Sequence, residues 1–171
     1  MFFDGSFTLN GSGAGVVLIA PTGEKLRYAI ELNFKATNNM AEYEALLAGL
    51  KVAAELGIRK LNIYGDSQLI INQINKGYQC TDPQMTAYLM GVRNMEKKFE
   101  GFDVHHVPRI QNGDADELAQ LAARRQPLPE GVFFERQNKP SQKEAVETSQ
   151  PEDTNMAPVA IADQDSSENM E

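Results

Sequence analysis

Tryptophan is absent from the 171 residues, and cysteine occurs once, as Cys80. A lone cysteine cannot close an intramolecular disulfide, so nothing calls for an oxidising compartment and an intracellular location, cytoplasm or nucleus, is expected. Histidine is scarce too: His105 and His106 are the only two and stand side by side. That scarcity excludes a Cys/His zinc spacing and a Ser/His/Asp or Cys/His nucleophile arrangement. Long apolar runs are lacking. The stretch Ala14 to Ala20 is far too short to span a bilayer, and Asp4 interrupts the apolar start, so neither a membrane role nor a signal peptide is expected. An excess of basic residues is missing as well, since the net charge is -8. The deficit is uneven, however. Residues 1–125 hold 13 Lys+Arg against 14 Asp+Glu, whereas residues 126–171 hold 3 against 10. The front part is therefore nearly neutral yet rich in acids, some of which a bound metal could neutralise.

Hydrophobic periodicity supplies the elements. Met1 to Ser6 reads as the end of a strand entering a glycine turn, Gly11-Ser12-Gly13 as a second turn, and Ala14 to Ile19 as a β-branched buried strand. Pro21 to Glu24 turns the chain into a third strand, Lys25 to Leu32, which completes an antiparallel meander. An amphipathic helix is predicted from about Ala41 to Leu56, capped by Thr37, Asn38 or Asn39 and stopped by Gly57. Then come a strand at Leu61 to Gly65, a helix from Ser67 to Lys76 ended by Gly77, and a helix from Pro83 to about Phe99. A strand at Val104 to Pro108 and a helix at Gly113 to Arg125 finish the series. The sum is an α/β domain with a five-stranded mixed sheet, three antiparallel strands then two parallel, and helices against it. Residues 126–135 read as a short extension. Residues 136–171, rich in Pro, Ser, Gln and Glu, read as a disordered acidic tail, because they cannot bury enough surface to offset their ordering entropy.

Four carboxylates stand out. Asp4 and Asp66 sit at the exits of two strands, Glu42 near the start of the first helix and Asp116 in the first turn of the last. Each has an ordinary explanation: a turn residue for Asp4, an N-cap for Asp66, compensation of the helix dipole for Glu42 and Asp116. As a set they converge if the two strands are neighbours, and four converging carboxylates repel one another unless divalent cations lie between them. All-oxygen ligands suit Mg²⁺, with Mn²⁺ as a substitute, and two such ions about 3.5–4 Å apart serve in-line phosphoryl displacement. Gly11-Ser12-Gly13-Ala14-Gly15 resembles a phosphate-binding loop only loosely, because a strand rather than a helix follows it.

Four blocks carry a family likeness: Asp4-Gly5-Ser6, Thr37-Asn38-Asn39-Met40-Ala41-Glu42, Asp66-Ser67-Gln68, and Asn112-Gly113-Asp114-Ala115-Asp116-Glu117-Leu118-Ala119. In order and in placement they resemble the signature blocks of type 1 ribonuclease H, over roughly residues 1–125. The likeness is nearest to the ribonuclease H domain of plant Ty3/gypsy-type retrotransposon polyproteins, through Ala41 to Leu46, Asp66 to Ile70, His106 to Arg109 and Leu128 to Val132. The resemblance implies a ribonuclease H-like fold with helices on both sheet faces. It also implies two-metal cutting of the RNA strand in RNA–DNA hybrids, in a polyprotein with reverse transcriptase and integrase domains. Carried over by motif, Asp4, Glu42, Asp66 and Asp116 would be catalytic metal ligands, with Asp114 the other candidate for the fourth acid. His106 would assist exchange or release, and Arg109 would contact phosphate. Asn38, Asn39 and Gln68 would read the minor groove of the hybrid, and Ser6 and Thr37 would touch phosphate or sugar. Two departures accompany the likeness. The first strand is shorter than the family's, which leaves a catalytically weak, retroelement-derived binding module as the alternative. No basic aromatic protrusion is present to grip the hybrid.

Overall fold

A computed structural model describes residues 1–76 and 82–143. The polypeptide opens with β1 (Phe2–Thr8), β2 (Gly11–Ile19) and β3 (Lys25–Leu32), followed by α1 (Asn38–Glu55) and β4 (Lys60–Gly65). Next come α2 (Gln68–Lys76), α3 (Pro83–Glu96), β5 (Gly101–His106), a 3₁₀ turn (Arg109–Asn112), α4 (Gly113–Ala123) and β6 (Val132–Gln137). The strands make one mixed sheet in the order β5-β4-β1-β2-β3-β6. The antiparallel meander and the parallel β4 and β5 stand as expected, but the sheet has six strands, not five. The extra one, β6, pairs parallel with β3 from Arg27↔Val132 to Leu32↔Gln137. It takes up the second half of the expected extension and runs past the boundary at 135. Its physical basis is the open edge of β3: Arg136 donates to the buried Glu31 at 2.9 Å, and Phe133 stacks on Tyr28. The expected Gly77 stop, Cys80 and the tail from 144 lie outside the described residues.

Local chemistry sets the ends of α1. The Thr37 hydroxyl accepts from the Met40 N–H at 3.1 Å, so the helix starts at Asn38, one turn earlier than the apolar stripe suggests. Gly57 closes it in a left-handed conformation (φ +78°) that a side chain would strain. The helix is also less amphipathic than expected. Met40 to Leu47 are all buried, because the sheet covers one side and α3 with residues 137–141 covers the other. Among the described residues no helix is long and apolar enough to cross a membrane.

The two sheet faces bury different partners. Phe3, Ala14, Val16 and Leu18 face α1, α2 and α3 in the main core. Val17 and Ala29 face Ala115, Leu118 and Ala122 of α4. Three glycines govern the second contact. Gly11, Gly13 and Gly15 alternate along β2 and present no side chain to α4. A Cβ at any of them would collide with the backbone of Ala123, Ala119 or Ala115. The glycine cluster is thus the seat of a helix, neither a turn nor a phosphate loop. The actual turn lies at Leu9-Asn10.

Candidate active site

Strand register brings the first two acids together. Phe2 pairs with Tyr64 in the parallel β1–β4 ladder, and two residues further along each strand stand Asp4 and Asp66. Pairing on both sides holds Asp4 within β1. The strand pairs with β2 from Phe2 to Thr8, and backbone bonds from Met1 N to Asn62 O and from Tyr64 N to Met1 O extend its hold on β4. Glu42 arrives from α1, which crosses β1 at Gly5 so tightly that a Cβ there would enter the backbone of Ala41 and Glu42. The Gly5 N–H then donates to Asp4 Oδ1 at 3.0 Å and to Glu42 Oε1 at 3.2 Å. One ligand oxygen from each of Asp4, Glu42 and Asp66 lies within 4.8 Å of the others.

The ordinary explanations fail for three of these acids. Asp4 is no turn residue: it lies inside β1, and the expected glycine turn at Gly5 is strand as well. Ser67, not Asp66, caps α2, accepting from Ile70 N at 3.4 Å, which leaves the Asp66 carboxylate to the cleft. Because α1 starts at Asn38, Glu42 lies beyond its first turn, where the helix dipole is felt little. The fourth acid is also distinguished. Asp114 turns to Lys25 and Arg27 at 3.4 and 3.6 Å. Asp116 lines the same cleft as Asp4, outside the group of three, where it accepts from Gln120 Nε2 at 2.9 Å and has Arg109 at 3.8 Å.

Burial and repulsion set the protonation of the cluster. Burial, then the Asp66 charge, pushes the Asp4 carboxyl up to about 7. Burial, then Asp4 and Asp66, raises Glu42 as well. Both groups therefore bind protons more tightly folded than unfolded. Their stabilising contribution is fullest below the ordinary carboxylate range; that of Asp4 is lost as pH rises through about 7, and that of Glu42 is lost only as pH rises on through about 10. We predict that the metal-free protein loses stability between about pH 4 and pH 8, by up to about 1.4 kcal/mol per pH unit for each proton released. Added Mg²⁺ should flatten that slope, and thermal melts across pH with and without Mg²⁺ check it. An unchanged slope in Glu42→Gln would refute this account.

The cleft around the acids is lined by Ser6, Phe7, Asn38, Ser67, Arg109, Gln120 and Arg124, among others. Of the expected contact residues, Ser6, Asn38 and Arg109 lie in it. Thr37, Asn39 and Gln68 are close in sequence but outside the lining, and Thr37 caps α1. His106 ends β5, exposed, and is likewise outside it. Gln120 and Arg124 were not anticipated, although their spacings of four and eight from Asp116 place them on the same helix face. Glu44, two residues from Glu42, is buried rather than solvent-facing. It accepts from Tyr88 OH at 2.5 Å, Gln137 Nε2 at 3.0 Å and Ser141 N at 2.8 Å.

Comparison with known proteins agrees with this geometry. The family described as reverse transcriptase-like matches residues 2–122. Ribonuclease HI of Halobacterium salinarum is 35% identical over 123 residues, covering 71% of this chain and 62% of that protein. The chain thus spans under two thirds of that relative's length. The crystal structure of RNase H1 from the same archaeon superposes with a TM-score of 0.67 at 34% identity, over 71% of this chain and 93% of that one. LC11-RNase H1 in complex with an RNA/DNA hybrid gives 0.66 at 26% identity, over 72% and 95%.

Proposed function

The chain belongs to the reverse transcriptase-like family and has the ribonuclease H-like fold, and from that premise we propose that it is an endonuclease hydrolysing the RNA strand of RNA–DNA hybrids. The observation that carries the proposal is the convergence of Asp4, Glu42 and Asp66 within 4.8 Å, in a cleft that Asp116 also lines. Two carboxylates this buried and this close are costly without a cation, and an all-oxygen set fits Mg²⁺ or Mn²⁺. Asp4, Glu42 and Asp66 would hold one ion, and Asp4 with Asp116 a second. Bound there, divalent cations supply an activated water and charge stabilisation for the leaving oxygen.

The chain's own residues do the rest. The Gly5 N–H orients the Asp4 and Glu42 oxygens. Gln120 holds one oxygen of Asp116, and Arg109 stands 3.8 Å from the other. Arg109, 77% exposed, reaches out of the cleft, where its guanidinium suits a phosphate. Asn38 and Ser6 border the acids and offer contacts to sugar edges and 2′-hydroxyls. The relative complexed with an RNA/DNA hybrid supports that substrate class. A place beside reverse transcriptase and integrase domains belongs to the same proposal.

The test is cleavage of a labelled hybrid with Mg²⁺, beside Asp66→Asn. Wild type should cut the RNA strand, and the variant should be slower by about a hundredfold or more. Equal, trace-level cutting by both would leave the weak binding module as the better description.

A further inference from the structure

Asn112 occupies the position before α4 where an asparagine ordinarily caps a helix with its side-chain oxygen. Here it makes no cap. Its Nδ2 instead donates to the carbonyl of Phe3 at 2.9 Å, across 109 residues of sequence. The side chain is 1% exposed, and its Oδ1 is the one buried side-chain polar atom without a hydrogen-bond partner among the described residues. Leaving a buried acceptor unpaired is unfavourable, so the bond to Phe3 is made at a cost that a capping orientation would avoid.

Its location supplies a reason. Phe3 immediately precedes Asp4, and Asp116 stands one helical turn after Asn112. The amide therefore ties the root of one carboxylate to the root of the other. Elsewhere α4 is seated on the sheet by non-directional packing, through the glycines of β2 and through Leu118 against Val17. The amide adds a directional bond at the helix start, at the point nearest the two carboxylates.

We propose that Asn112 is a positioning residue that sets the separation of Asp4 and Asp116, and hence the chain's capacity to bind a divalent cation between them. The inference rests on the reading of the carboxylates given above. Its role is exerted through Phe3 and α4; Asn112 itself would not touch metal or substrate.

The test uses the full chain with Mn²⁺ as probe, titrated by electron paramagnetic resonance, alongside steady-state hybrid cleavage. Asn112→Leu and the smaller Asn112→Ser both remove the tie to Phe3. Glu44→Gln serves as a destabilised comparator with the carboxylates untouched. For the Asn112 variants we expect Mn²⁺ binding weakened at least fivefold and kcat lowered about tenfold, with KM for the hybrid within twofold of wild type. Glu44→Gln should lower Tm without either change. The proposal is overturned if the Asn112 variants bind Mn²⁺ and turn over like wild type, or lose no more than Glu44→Gln at matched Tm. It is also overturned if neither variant folds, which would assign Asn112 to the fold alone. Wild type that binds Mn²⁺ but cuts no hybrid would refute the nuclease reading, while the binding ratio still decides the role of Asn112. Wild type that binds no Mn²⁺ would remove both.

Discussion

Glu42→Gln is expected to abolish metal-dependent cleavage while making the metal-free protein more stable at pH 8, and Glu44→Gln is expected to do the reverse. The two glutamates sit two residues apart on α1, and both are buried. Their surroundings differ in sign. Glu42 faces Asp4 and Asp66, so its carboxyl is raised by burial and by like charge. Replacing it with a neutral amide relieves that repulsion but removes a metal ligand. The cost to kcat should be at least about a hundredfold, while Tm without metal at pH 8 should rise by several degrees. Glu44 faces three donors: Tyr88 OH, Gln137 Nε2 and the Ser141 N–H. Burial pushes the Tyr88 phenol upward, so it remains a donor. A glutamine at 44 would set its own NH₂ against at least one of them, at a cost of about 2 kcal/mol. That corresponds to a fall in Tm of roughly 5–10 °C, with kcat of the folded fraction within a few-fold of wild type. Melting curves and single-turnover rates on the same preparations read both effects. Loss of activity in Glu44→Gln with intact activity in Glu42→Gln would invert the assignment.

Gly15→Ala should destabilise the protein by about 3 kcal/mol or more, a large effect for one added methyl group. The new Cβ would run into the Ala115 carbonyl oxygen, with the Ala119 N and Leu118 Cβ also closer than van der Waals contact allows. Most of these are backbone atoms in a helix, so no rotamer change relieves the clash. Either α4 lifts from the sheet, carrying Asp116 away from Asp4, or the chain unfolds. Gly113→Ala is the informative contrast. That residue has helical angles (φ -61°, ψ -39°), and nothing lies within 4 Å of its would-be Cβ. Replacing it should stabilise by about 0.5–1 kcal/mol through the unfolded chain. Denaturant titrations of both variants decide the matter; a Gly15→Ala protein with wild-type stability would mean that α4 does not need the glycine stripe.

Much of the architecture was legible where local pattern and tertiary demand coincide. The strand at Lys25 to Leu32 and the Gly57 stop of α1 are both seen, although the strand is buried continuously from Ala29 to Leu32 and does not alternate. The convergence of Asp4 with Asp66 was legible only on the condition that their strands were neighbours; β1 and β4 are, although Asp4 lies inside its strand and not at its exit. Features that depend on distant partners were hidden. Gly11 to Gly15 looks like a turn until the approach of Ala115 to Ala123 is known. Val132 to Gln137 lacks the surroundings of a strand, and its order derives from the open edge of β3. Glu44 does point away from Glu42, as a 3.6-residue turn requires, but into Tyr88 and Ser141 rather than into water. The tie from Asn112 to Phe3, like the exclusion of Asp114 by Lys25 and Arg27, is a relation between chain segments with no local signature.

The parallel pairing of β6 with β3 has a consequence for the birth of the chain on the ribosome. Glu31 and the Arg136 that covers it are 105 residues apart. At about 5–20 residues per second, β3 emerges roughly 5–20 s before the strand that completes its edge. During that interval the meander can already be formed, since its contacts are local, while a row of unpaired N–H and C=O groups stays open beside it. Glu31 on that edge then acts as a gatekeeper: a carboxylate that is buried and paired in the finished protein is, in the nascent one, a charge that discourages another strand from adding first.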